Sequence, residues 1–329
     1  MNYHSIYQTE TPEFLLRLCL TPPLRRLADV GMNCGCEYTA FPRFAGIGRY
    51  SRLEHSLGAA LIVWRFTRSE AQAAAALLHD AATPVFAHVV DFLRGDYLEQ
   101  TATESGTARL IRASAEIGAA LRALGLEPSE VEDYHRYPVA DNDAPRLSAD
   151  RLDYTCGNAV NFGLASREEL AEIFADLRVG KNEFEETELV FRDKEKAARF
   201  AFLALACSRI YVCDEDRYAM QRLAELLRAA LESGVIGEGD LASTETAVIG
   251  ELLSDPACAA AWTAFRALSR TARAERPDER GPWRKIFAKH RRIDPFAEGL
   301  GRVSAFDPGF ASALDGFMNE KHDYYVLGE

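Results

Sequence analysis

The chain has 329 residues, 48% of them hydrophobic, with 38 Lys and Arg against 50 Asp and Glu for a formal charge of −12. That length buries an ample core without staples, and the acidic balance speaks against a broad nucleic-acid-binding face, which needs clustered cations. A spanning helix needs roughly 20 apolar residues, and the longest candidate, Leu57 to Trp64, is ended by Arg65, so no membrane partner is expected.

Thr11 reads as an N-cap, with Pro12 at the first helical position and Glu13 in the first turn. Pro22-Pro23 interrupts this pattern, which resumes over Leu24 to Val30. Residues 31–48, rich in Gly, Cys and aromatics, read as a loop or short hairpin. Ser51 opens a helix running through His55 to about Thr67. An Ala-rich helix over 69–80 ends at His79-Asp80, and Pro84 opens a further one closed by Gly95. Helices are predicted near 105–124, 128–136 and 147–160, over 192–233 with a break near Cys207 to Cys213, and over 240–276. Asn182 to Glu188 reads as an acidic surface loop or hairpin, and only the C-terminal HDYYVLGE has a strand pattern. The expected fold is all-α: a helical catalytic domain over 1–235 and a mostly helical C-terminal extension, 236–329, packed on it.

The seven cysteines, Cys19, Cys34, Cys36, Cys156, Cys207, Cys213 and Cys258, are scattered, and the N-terminal residues carry no export pattern. They read as reduced thiols in a cytoplasmic protein. Cys34 and Cys36 have no second pair to complete a zinc site, so structural or incidental thiols are expected there.

Three short stretches carry chemistry. Arg52 and His55, in RLEHSLG, are three apart and share a helix face. His79-Asp80 puts two polar ligands at the end of an apolar helix, and Asp150 and Tyr154, in ADRLDY, lie one turn apart. Taken singly, each has a bland alternative: a satisfied core His, a chance dipeptide, an N-cap Asp. Together, two imidazoles and two carboxylates suit a divalent metal such as Fe, Mn, Zn, Ni or Co, with positions left for water and a phosphate oxygen.

The order RLEHSLG, then ALLHDAATPVFAH, then DRLDY resembles the HD-domain phosphohydrolase superfamily, closest to the deoxynucleoside triphosphate triphosphohydrolase-like branch. Similarity runs over roughly residues 12 to 165, including Phe41-Pro42. The resemblance implies an HD-domain helical bundle whose His55, His79, Asp80 and Asp150 bind one metal ion. It also implies phosphate contact by Arg52, a pocket-lining Tyr154, and His88 and Asp91 as a catalytic His with the Asp that orients it. Members of this branch often assemble as dimers or higher, so a homo-oligomer is an expectation here too.

Thr83 departs from the pattern, because triphosphohydrolases carry His there after Gly, and this chain has Ala82-Thr83. Loss of a general acid costs on the order of 10² to 10⁴ in rate unless another group replaces it. His88 and Glu99 are the available substitutes, and Thr83 itself would line the substrate site. The departure favours a monophosphate or other small phosphate over a triphosphate.

Elsewhere, Asp141 and Asp143 read as substrate or second-metal contacts or, by preference, as an Asx-type turn ended by Pro145. Arg146 and Arg151 reach either the pocket or nearby acids. The basic island from Trp283 to Pro295 is either a phosphate clamp folded over the active site or a solvated helix face. The expected function is metal-dependent hydrolysis of a nucleotide or related small phosphate, with metal-activated water attacking phosphorus. The alternative is a catalytically weak HD protein that binds a nucleotide as a sensor. Absence of a Gly-x-Gly-x-x-Gly, a P-loop and a Gly-x-Ser-x-Gly removes dinucleotide oxidoreductases, P-loop kinases and serine hydrolases.

Overall fold

Ser51 caps the helix Arg52–Thr67 through a capping box, its hydroxyl accepting from the Glu54 backbone while the Glu54 carboxylate accepts from the Ser51 N–H. In the computed structural model, which describes residues 3–8, 10–95, 106–279, 281–287 and 289–329, this helix is central. Its neighbour Glu70–Leu78 starts on the Ser69 hydroxyl and buries Ala73 through Leu78, so the Ala-rich stretch is an interior helix. A third helix, Ala149–Asn161, is capped by Ser148 and packs on the first.

Two glycines permit that approach. A Cβ on Gly58 would lie 1.8 Å from an Asp153 carboxylate oxygen, and one on Gly157 would lie 2.4 Å from the Tyr50 ring. The glycine that closes RLEHSLG is therefore where a buried carboxylate of the facing helix fits.

The all-α expectation is overturned. The molecule is 56% helical and carries two sheets among the described residues. Their strands are β1 (Leu177–Lys181), β2 (Thr187–Phe191), β3 (Thr271–Ala274), β4 (Arg284–Lys285), β5 (Phe296–Ala297), β6 (Gly301–Arg302) and β7 (Tyr325–Gly328). One sheet has the order β1-β2-β5-β6 and the other the order β3-β7-β4. These strands are two to five residues long, too short for alternation to register. Their partners also lie far apart, as where Val190 pairs in parallel with Phe296. The acidic stretch Asn182 to Glu188 forms the β1–β2 hairpin, with Asn182 accepting from the Phe184 and Glu186 N–H groups. Glu188 is buried against Arg302.

Other boundaries move for local reasons. Pro84 does not open a helix, because Phe86 and Ala87 take φ values of 56° and 45°, and the helix begins at Val89. The 192–233 stretch is two helices, Lys194–Tyr211 and Asp214–Glu232, broken at Val212 and Cys213. The 240–276 segment ends as strand β3 after the helices Glu245–Ser254 and Pro256–Arg266. Among the described residues no helix is long and apolar enough to cross a membrane.

Candidate metal centre and cavity

His79 is the residue that ends the Ala-rich helix, and its Nδ1 lies 2.7 Å from the Ala76 carbonyl. A carbonyl only accepts, so Nδ1 carries the proton and Nε2 presents its lone pair. His55 is fixed the same way: Nδ1 lies 2.8 Å from Asp153 Oδ2 and Nε2 lies 3.0 Å from Asp150 Oδ1. Asp150 and Asp153, three apart on one helix, hold one imidazole from both sides. Ser148 fills the N-cap, which leaves the Asp150 carboxylate for the cavity.

His79 Nε2 is 3.6 Å from both Asp80 Oδ2 and Asp150 Oδ1, and His55 Nε2 is 4.0 Å from Asp80 Oδ2. The four residues from three separate sequence blocks thus converge on one point. His55, His79 and Asp80 each offer an atom in one metal-sized cluster. The electrostatics match a cation. Burial opposes a charged His55, yet the hydrogen bonds and charges of Asp150 and Asp153 outweigh it and raise its pKa to about 10. Burial likewise opposes ionised Asp80 and Asp150. His79, Arg52 and His55 nonetheless hold Asp80 well below the usual carboxylate range, and His55 above all does so for Asp150.

Asp153 is fully buried and accepts from three donors: His55 at 2.8 Å, Tyr50 Oη at 2.9 Å and Tyr3 Oη at 3.1 Å. Its role is absent from the sequence reading, although it stands in the same DRLDY block. Asp80 is gripped on both oxygens, by Thr83 Oγ1 at 2.7 Å and by Arg52 Nη1 at 3.0 Å. Thr83 lines the cavity, but its hydroxyl is turned to the carboxylate. The position where the sequence resemblance leads one to expect a His thus holds a residue that orients Asp80.

The cavity above these residues has a volume of about 410 Å³. Arg52, Lys289 and Arg291 bring positive charge to its wall, and Tyr154, Tyr211 and Phe162 bring aromatic surface. The basic island therefore reaches the cavity through two of its side chains. His88 Nδ1 lies 2.9 Å from the buried Asp91, and its Nε2 is 3.4 Å from Arg291 Nη2. Tyr134 lays its ring 4.8 Å from that of His79. Glu99 lies outside the described residues.

The acidic candidates Asp141 and Asp143 fall away from the cavity. Asp141 is buried and engaged by His135, Arg151 and Ser148. Asp143 is exposed beside Arg146, which also meets Glu186. Cys34 and Cys36 are buried free thiols, and burial pushes both pKa values up, Cys34 to about 12.

A helical core with a His, a His-Asp pair and an Asp converging under one cavity is an arrangement suited to holding a divalent metal. No family model matches the chain. It is similar to the metal-dependent phosphohydrolase cns2 of Cordyceps militaris, 28% identical over 77% of this chain and 72% of that protein. It is also similar to the uncharacterized protein YdhJ of Bacillus subtilis, 28% identical over 61% of each. The fold is shared with a crystal structure of a hypothetical protein from Aquifex aeolicus, at a TM-score of 0.65 and 19% identity over 96% of this chain and 92% of that one. It is shared too with a phosphohydrolase from Bacteroides thetaiotaomicron, at a TM-score of 0.65 and 15% identity over 97% and 96%. The name of the Cordyceps militaris relative is that of a metal-dependent phosphohydrolase, and the two solved structures show a shared fold.

Proposed function

We propose that this protein is a metal-dependent phosphohydrolase acting on a nucleotide or related small phosphate, with His55, His79, Asp80 and Asp150 as the ligands of one divalent ion. The observation that carries this reading is the meeting of two Nε2 atoms and two carboxylates, with nitrogen-to-oxygen separations of 3.0–4.0 Å, at a cavity whose wall includes Arg52, Lys289 and Arg291. The donor set suits a transition metal of borderline softness. Such an ion supplies Lewis acidity to a phosphate group and to water.

The chain's own residues supply the rest. Arg52, Lys289 and Arg291 bind phosphate oxygens, Arg52 from a side chain locked against Asp80. The His88–Asp91 pair accepts and returns a proton, replacing the His that Thr83 displaces. Tyr154, Tyr211 and Phe162 receive the organic part of the substrate. A cavity of about 410 Å³ lies within the usual range for small-molecule sites. The name of the Cordyceps militaris relative, a metal-dependent phosphohydrolase, points the same way.

The test is phosphate release from a panel of nucleoside mono- and triphosphates and simple phosphomonoesters, each with Mn²⁺, Fe²⁺, Co²⁺, Ni²⁺ or Zn²⁺. Turnover of monophosphates in preference to triphosphates is the expected pattern. Tight nucleotide binding without turnover under every metal would replace the enzyme by the sensor reading.

Asp153→Asn tests the orienting carboxylate. With one acceptor oxygen in place of two, His55 loses its fixed tautomer, and metal affinity is expected to fall about 10- to 100-fold by titration calorimetry. An unchanged affinity in the folded variant would remove Asp153 from the site.

A further inference from the structure

Away from the cavity, His290, Glu320 and His322 bring one ligand atom each to within 4.8 Å of one another. The two imidazoles are stacked, with centroids 5.2 Å apart and planes 13° apart. Nε2 of His290 and Nε2 of His322 are both buried without a hydrogen-bond partner among the described residues. Two buried, unpartnered imidazole nitrogens, on rings whose ligand atoms come within 4.8 Å of each other and of a Glu320 oxygen, are an uncommon arrangement that points to a ligand.

The tautomer of His322 sharpens the point. Its Nδ1 is 3.4 Å from Tyr324 Oη, and that hydroxyl donates its hydrogen to Asp214 Oδ1 at 2.9 Å. Nδ1 must therefore donate, leaving a lone pair on Nε2. A carboxylate-backed acceptor behind an imidazole N–H is how metal-bound histidines are held. Glu320 is exposed and steadied by Arg209, which meets its Oε1 at 2.8 Å. The nearby Arg217 charge is balanced by its ion pair with Asp214.

We propose that His290, His322 and Glu320 form a second divalent-metal site, of the His₂Glu type that zinc favours. The site ties the Lys289–Arg291 segment to the C-terminal segment 320–322. Lys289 and Arg291 line the phosphate cavity, whereas the residue between them does not. An ion on His290 therefore fixes the strap that carries two of the cavity's cations.

Zinc titration of the whole protein distinguishes this site from the one under the cavity. Wild type is expected to take up one more equivalent of Zn²⁺ than His322→Asn or His290→Asn, while Asp80→Ala keeps that equivalent and loses the other. Hydrogen exchange over 289–292 is expected to slow on adding Zn²⁺ to Asp80→Ala and to be indifferent to Zn²⁺ once His322→Asn is added. Equal zinc stoichiometry in wild type and both folded histidine variants would overturn the second site. Zinc-independent exchange in Asp80→Ala would overturn its hold on the strap. Failure of the cavity site alone would show as an equivalent lost in neither Asp80→Ala nor His79→Ala, and leaves this test readable.

Discussion

Asp80→Ala is expected to lower kcat/KM for phosphate release about 10³-fold, the equivalent of losing about 4 kcal/mol of charge stabilisation at the reacting phosphate. Asp80 faces both imidazole Nε2 atoms and also pairs with Arg52, so its removal disturbs the metal set and the phosphate contact together. Truncation also strips a buried guanidinium of its partner, which destabilises the fold in its own right. Asp80→Asn keeps an oxygen for Arg52 or Thr83 and removes only the charge, so it separates folding from chemistry. His79→Ala offers a third arm, since among the described residues its Nδ1 is anchored to the Ala76 carbonyl. The measurements are steady-state rates with saturating metal and the metal content of each purified variant. Wild-type turnover by folded Asp80→Asn and His79→Ala would remove these residues from the reaction.

The same carboxylate shows what a sequence discloses. The blocks that contain His55, His79, Asp80 and Asp150 are readable as candidate ligands because each lies in a short stretch on its own helix. What surrounds them is not. Thr83 registers in the sequence as a missing His, and only its 2.7 Å contact with Asp80 gives it a positive role. Asp153 has partners 98, 103 and 150 residues away, a distance at which periodicity carries no information. The second Asp in DRLDY, one turn after the first, is the available signal. The sheets are illegible for a related reason, since β5 and β6 are two residues each and owe their pairing to β2, about a hundred residues earlier. The helix expected from Pro84 fails because Phe86 and Ala87, ordinary helix residues by composition, both sit in the left-handed region.

That left-handed turn delivers His88 to the cavity, and His88→Asn is expected to lower kcat 10²- to 10⁴-fold, the range for losing a positioned acid–base group. Burial, with the nearby charges of Arg291 and Arg52, outweighs Asp91 and depresses His88 to about 4 from 6.5. At neutral pH its Nδ1–H is committed to Asp91 and its Nε2 is an acceptor facing Arg291 Nη2. A phosphate that binds Arg52 and Arg291 screens both cations, so proton uptake at Nε2 becomes easier when substrate arrives. Because kcat/KM reports the free enzyme, its acid limb from His88 is expected near pH 4 rather than 6.5. Measured with saturating metal, that limb should vanish in His88→Asn. The stability effect has a definite sign. Folding favours the neutral ring, so the contribution is complete above 6.5 and is lost as pH falls through about 4, because the unfolded chain binds the extra proton in that window. His88→Asn should therefore flatten the dependence of Tm on pH between 6.5 and 4. An acid limb that stays in place, or a kcat indifferent to the substitution, would return the proton transfer to some other group.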